Sequence, residues 1–234
     1  MSITIDAATI DGAVFDMDGV VTSTARVHER AWKTVFDRIL AERGDKRPFS
    51  HEDYRAFVDG RIRTDGVRTF LASREFPPDQ RLVERIAEEK NEIFLRLIEA
   101  EGATRLPGAR ELLEALRKAG LRVGLFTASR NAELVLRSAG LLEAFDARVD
   151  GHVAAAEGLA GKPAPDLPLA CARRLGIGPD RAVLFEDAVA GVEAGRAGGF
   201  ARIVGIGEGA DARKLMEAGA DETVPSLAGV TLAA

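Results

Sequence analysis

Two carboxylates, Asp16 and Asp18, stand two residues apart at the end of the apolar run Ala13-Val14-Phe15, and Gly19 follows them. Residues two apart on an extended chain point to the same side. Both acids therefore converge at a strand tip, where glycine lets the chain turn. Bare carboxylates side by side repel each other. A hard cation such as Mg²⁺, or a shared proton, relieves that repulsion. The plainer alternative is a polar turn, in which Asp is common.

Ligands of open parallel sheets gather at the carboxyl ends of the strands. After the apolar segment Val123–Phe126 come Thr127, Ser129, Arg130 and Asn131. After Ala182–Phe185 come Glu186 and Asp187, and Gly161-Lys162-Pro163-Ala164-Pro165-Asp166 precedes a helix. Singly, each has an ordinary reading: Thr127 and Ser129 as helix caps, Lys162 as a solvated loop lysine, Glu186-Asp187 as a capping pair. Jointly they bring acids, hydroxyls and a cation to one rim. That set suits phosphoryl transfer. A carboxylate nucleophile needs its repulsion from phosphate screened, which Mg²⁺ held by acids does. The phosphoryl oxygens need donors such as a hydroxyl and a lysine. A second acid must protonate the leaving oxygen and later activate the acceptor.

The elements that position these groups follow from apolar spacing. Val27, Ala31, Val35 and Ile39 recur every four residues, flanked by Trp32, Phe36 and Leu40, and predict a helix that Gly44 and Pro48 close. Ser50 with Asp53 caps a short helix that Gly60 interrupts. Thr64 is the expected cap of a third helix, and Asp79 starts a long fourth one ending near Gly102. No convincing strand lies between Thr22 and Ala103. From Pro107 onward, short apolar strands alternate with helices closed by Gly120, Gly140 and Gly176. The expected fold is α/β, a Rossmann-like parallel sheet flanked by helices, with an α-helical cap inserted after the first strand. Residues 1–21 and 106–234 are expected to form the core, and residues 22–105 the cap.

Composition narrows the function. The 234 residues have a formal net charge of −5, 46% hydrophobic residues and one cysteine, Cys171. This is an ordinary globular balance without a basic stripe, so neither nucleic acid nor an anionic membrane is an expected partner. Cys171 reads as a small buried hydrophobe on a helix. The start lacks a basic segment followed by an apolar run, and no stretch approaches a membrane span. A cytoplasmic monomer is expected.

Four segments in order, Asp16-Met17-Asp18-Gly19-Val20, Thr127-Ala128-Ser129-Arg130-Asn131, Gly161-Lys162-Pro163-Ala164-Pro165-Asp166 and Glu186-Asp187-Ala188-Val189-Ala190-Gly191, resemble the motifs of the haloacid dehalogenase superfamily. The resemblance spans the core. It implies that Asp16 is a nucleophile forming an aspartyl phosphate, and that Asp18 is the general acid/base and offers its backbone carbonyl to Mg²⁺. It implies that Thr127 and Lys162 hold the phosphoryl group, and that Glu186 and Asp187 complete a metal set with Asp16 and Asp18. Within the superfamily the β-phosphoglucomutase subgroup is most similar, through His28-Glu29-Arg30-Ala31-Trp32-Lys33, Arg63 and Lys90-Asn91. That likeness implies a small phosphorylated sugar as substrate and a sugar bisphosphate as intermediate. It makes His28, Trp32, Gly60, Arg63, Lys90, Ser129, Arg130 and Asn131 candidate substrate contacts, with Arg63, Ser129, Arg130 and Asn131 on a second, non-reacting phosphate. Lys90 also lies on the apolar stripe between Ile86 and Phe94, where it either snorkels to water or points beneath the cap.

The chain departs from the subgroup at Arg130, where lysine is common, and at Arg61 and Gly66 in the cap loop. The cap loop faces the sugar, so its identity stays open. The rival readings are hydrolysis of sugar phosphates with water as acceptor, a dehalogenase of the same fold, and a phosphoacceptor signalling domain. The first is the runner-up. A dehalogenase has no oxygen leaving group for Asp18 to protonate, and a signalling domain needs no substrate lid. The run Gly205-Ile206-Gly207-Glu208-Gly209 lacks the spacing of a dinucleotide site.

Overall fold

A computed structural model describes residues 2–233. Strands β1 (Ile3–Asp6) and β2 (Gly12–Asp16) come first. Helices α1 (Ala25–Glu42), α2 (His51–Asp53), α3 (Arg63–Ser73) and α4 (Gln80–Glu101) follow. The chain then alternates through α5 (Ala109–Lys118), β3 (Arg122–Phe126), α6 (Ala132–Ser138), β4 (Ala147–Val149), α7 (Gly151–Glu157) and α8 (Asp166–Leu175). It ends with β5 (Ala182–Glu186), α9 (Val189–Ala197), β6 (Arg202–Ile206), α10 (Gly209–Ala218), β7 (Glu222–Val224) and β8 (Val230–Ala233). Six strands form one parallel sheet in the order β4-β3-β2-β5-β6-β7. The fold is the expected α/β core with an inserted helical cap.

β2 is buried along its whole length, which explains why it reads as an unbroken apolar run. Its side chains still alternate: Ala13 and Phe15 join the core under α5 and α6, and Val14 joins the core under α8, α9 and α10. Phe15 stacks on Phe185 with ring centroids 4.5 Å apart. Burying a ring of this size contributes about 1.5–3 kcal/mol. The cap has its own aromatic core, in which Phe36 lies 4.3 Å from Phe70 and 5.0 Å from Trp32 between ring centroids. The two segments that connect cap and core run side by side. Ser23 N donates to Thr104 O and Leu106 N donates to Val21 O.

Three elements escape the sequence pattern. β1 and β8 pair with each other outside the main sheet, and α7 follows β4 directly. Thr64 is not the cap of α3, because the helix already begins at Arg63 and Ile62 occupies the cap position. Among the described residues, no helix is long and apolar enough to cross a membrane. Cys171 is fully buried on α8 with Sγ 3.5 Å from Leu125 O, and burial pushes its thiol up to about 12. The native protein at pH 8 is therefore expected to leave Ellman's reagent unreacted, whereas the denatured chain releases one equivalent of chromophore. Prompt reaction of the native thiol would place Cys171 at the surface.

Candidate active site

The ends of three adjacent strands converge. β2 delivers Asp16, β3 delivers Thr127 and β5 delivers Glu186 and Asp187, all of them buried. The loop before α8 adds Lys162, whose Nζ donates to Asp16 Oδ1 at 2.6 Å and to Glu186 Oε2 at 2.9 Å. Two glycines permit this crowding. At Gly19, φ is +86° and a Cβ would stand 2.2 Å from Asp187 Oδ2. At Gly191, a Cβ would stand 2.1 Å from the Glu186 carboxyl carbon. Thr127 Oγ1 accepts from Ser129 N at 3.1 Å, and Ser129 Oγ accepts from Asn131 N at 3.2 Å. The two hydroxyls thus brace the loop after β3 and do not cap α6 from its own cap position, which Asn131 holds.

Burial and the charge of Glu186 push the Asp16 carboxyl well above its usual range, against the pull of Lys162. Burial and the charge of Asp59 do the same to Asp187. Burial works against a charged Lys162, but Asp16 and Glu186 outweigh it and hold the ammonium protonated. Asp16, Glu186 and Asp187 offer carboxylate oxygens that all lie within 4.8 Å of one another. Four carboxylates, Asp16, Asp59, Glu186 and Asp187, face two cations, Lys162 and Arg55. With all four ionised, two negative charges are in excess, and these with the all-oxygen donor set fit a hard divalent cation.

Asp18 has a different environment. Its carboxylate accepts from Thr24 Oγ1 and lies 3.5 Å from His28 Nε2, away from the cluster of three acids. Its carboxylate thus stands outside that donor set. Burial would raise its pKa, but His28, Thr24 and Lys90 prevail and hold it below the usual carboxylate value. His28 Nδ1 lies 2.6 Å from Lys90 Nζ, so Lys90 donates there and the proton of the neutral ring sits on Nε2, facing Asp18. Burial is the main reason that both His28 and Lys90 have lowered pKa values. Lys90 does not snorkel: it is 2% exposed and lies 5.1 Å from the Trp32 ring and 4.8 Å from the Phe94 ring. Thr24 opens α1 without capping it, because its hydroxyl is engaged with Asp18 and Thr22.

A cavity of about 60 Å³ lies between cap and core, and Asp16, Asp18, His28, Trp32, Gly60, Arg63, Lys90, Thr127, Ser129, Lys162 and Asp187 line it. Arg130 and Asn131 do not reach it. Arg130 is exposed and lines a neighbouring cleft together with Arg63. Asn131 Nδ2 donates to Asn91 Oδ1 at 2.9 Å, and the same oxygen accepts from Arg63. Asn131 thus steadies Arg63 from outside the cavity. The sequence reading passed over Tyr54, Arg55 and Asp59. They sit on a π-helical turn, with Asp59 N donating to Tyr54 O, directly before Gly60. The one available signal was the spacing of Arg55 and Asp59, four residues apart as helical ion pairs are.

The sequence pattern of the haloacid dehalogenase-like hydrolases matches residues 10–199. A β-phosphoglucomutase of Mycobacterium bovis is 44% identical over 237 residues, covering 94% of this chain and 90% of that protein. A phosphorylated carbohydrates phosphatase of Thermotoga maritima is 31% identical over 215 residues, covering 90% of this chain and 92% of that one. The crystal structure of a β-phosphoglucomutase from Clostridium difficile superposes with a TM-score of 0.79 at 27% identity, covering 94% of this chain and 92% of that one.

Proposed function

The chain belongs to the haloacid dehalogenase-like hydrolase family, and from that premise we propose that it moves a phosphoryl group on a phosphorylated sugar through Asp16, as a mutase of the β-phosphoglucomutase kind. One observation carries the reading: the two carboxylates of the opening motif are unequal. Asp16 sits 2.6 Å from a buried ammonium, and Asp18 sits beside Thr24 and His28. In this reading Asp16 attacks phosphorus and the sugar oxygen leaves. Lys162 and Thr127 donate to the phosphoryl oxygens. Asp18, kept ionised, takes the proton of the attacking hydroxyl in the transfer back to the sugar, and returns it to the leaving oxygen in the reverse direction. Asp16, Glu186 and Asp187 with the Asp18 carbonyl would hold Mg²⁺, which when bound screens the charge between phosphate and Asp16. Arg63, steadied by Asn91 and Asn131, suits a second phosphate, with Ser129 beside it.

The likeness to a phosphatase supports a second reading, in which water is the acceptor. One incubation separates them: protein with Mg²⁺, β-glucose 1-phosphate and a trace of glucose 1,6-bisphosphate. Glucose 6-phosphate as main product is the expected result, with loss of turnover in EDTA. Inorganic phosphate as main product establishes the phosphatase.

A further inference from the structure

The cavity that holds Asp16 has a thin back wall. Tyr54 and Asp187 line that inner cavity on one side and, on the other, a separate cleft of about 720 Å³ at the junction of cap and core. A cleft of that size has room for on the order of 20 waters. Asp59 faces only the inner cavity and Arg55 only the outer cleft. The Arg55 guanidinium spans the partition. Nη2 donates to Asp187 O at 2.6 Å, and Nη1 reaches Asp187 Oδ2 at 3.3 Å and the carboxylate of Asp59. The π-helical turn brings Tyr54, Arg55, Val58 and Asp59 to this one junction, and such turns concentrate at working sites.

We propose that Arg55 and Asp59 form a water barrier behind Asp16 and set the division of its phosphoryl group between sugar and water. The proposal rests on the phosphoryl-transfer reading above. Two acceptors compete for phosphorylated Asp16. In transfer, a sugar hydroxyl oxygen bonds to phosphorus, the bond from phosphorus to the Asp16 oxygen breaks, and the hydroxyl proton passes to Asp18. In hydrolysis a water oxygen takes the same course and inorganic phosphate leaves. Neither path differs in its donors, so the outcome turns on which oxygen reaches the phosphorus. Once the sugar is under the closed cap, phosphorylated Asp16 needs solvent kept away. A cap residue that ties itself to the Asp187 backbone supplies this only while the cap is down, so exclusion and closure coincide.

The test measures inorganic phosphate released per sugar phosphate formed, from one donor, in the wild type and in Arg55→Ala, Arg55→Lys and Asp59→Asn. Arg55→Ala is expected to raise that ratio about 10-fold. Arg55→Lys, which keeps a cation beside Asp59 but loses the forked contact with Asp187, should fall between, and Asp59→Asn should raise the ratio with Arg55 in place. Equal slowing of both products at an unchanged ratio in Asp59→Asn and Arg55→Lys overturns the barrier. A wild type whose Asp16 never becomes labelled by donor phosphate overturns the transfer reading instead, and the barrier with it.

Discussion

Asp16→Asn is expected to reduce turnover of any phosphate substrate by at least about 10⁴-fold, the scale seen when a covalent nucleophile is removed. The amide has the shape of the carboxylate but no nucleophilic oxygen. The fold should survive the change. Lys162 keeps its 2.9 Å contact with Glu186, and the substitution removes one of the carboxylates that crowd the strand ends. Mass spectrometry after a brief exposure to donor should find phosphate on the wild type and none on the variant, with matching circular dichroism. Full activity in Asp16→Asn would exclude the covalent route. Asp18→Asn is the informative companion. It leaves the nucleophile and Lys162 untouched and disturbs the Thr24 and His28 contacts, so it should slow proton transfer more than phosphate binding.

Much of this site is legible in the chain because the fold is periodic. A parallel sheet gathers polar groups after each strand, so Thr127, Glu186 and Asp187 can be placed on the rim beside Asp16 from the apolar runs alone. Lys162 is harder. Two prolines nearby make it look like loop, and only its ion pairs with Asp16 and Glu186 show it to be buried. The stripe that carries Lys90 reads correctly as a helix face, but its contact with His28 joins residues 62 apart in sequence, which no local pattern encodes. Arg130 is hard to place for a different reason. It stands in the right motif, yet the turn braced by Thr127 and Ser129 leaves it exposed, in a neighbouring cleft. Arg55 and Asp59 escaped notice because their meaning depends on Asp187, 132 residues from Arg55, and on a π-turn in place of a regular helix. β1 and β8 are invisible for a similar reason. Each is four residues long, lies outside the sheet, and pairs with the opposite end of the chain.

Lys162→Ala should damage the fold and the chemistry together, and the two losses can be separated. The lysine side chain is fully buried, with Asp16 at 2.6 Å, Glu186 at 2.9 Å and its ammonium 4.7 Å from the Phe126 ring. Removing one partner of a buried ion pair leaves an uncompensated charge at a cost of about 3–5 kcal/mol. For a chain of this length that lowers the melting temperature by roughly 6–20 °C in EDTA. Mg²⁺ should recover more of the melting temperature in the variant than in the wild type, because a divalent ion then neutralises carboxylates that no side chain serves. Adding Glu186→Gln to Lys162→Ala should return part of the lost stability by deleting one of the stranded charges, and the pair should be strongly non-additive. Neither addition can restore turnover, since the donor to the phosphoryl oxygens is still missing. An unchanged melting temperature for Lys162→Ala in EDTA would mean that Asp16 and Glu186 take up protons without loss. In that case the ammonium serves the phosphoryl group alone and does not hold the strand ends together.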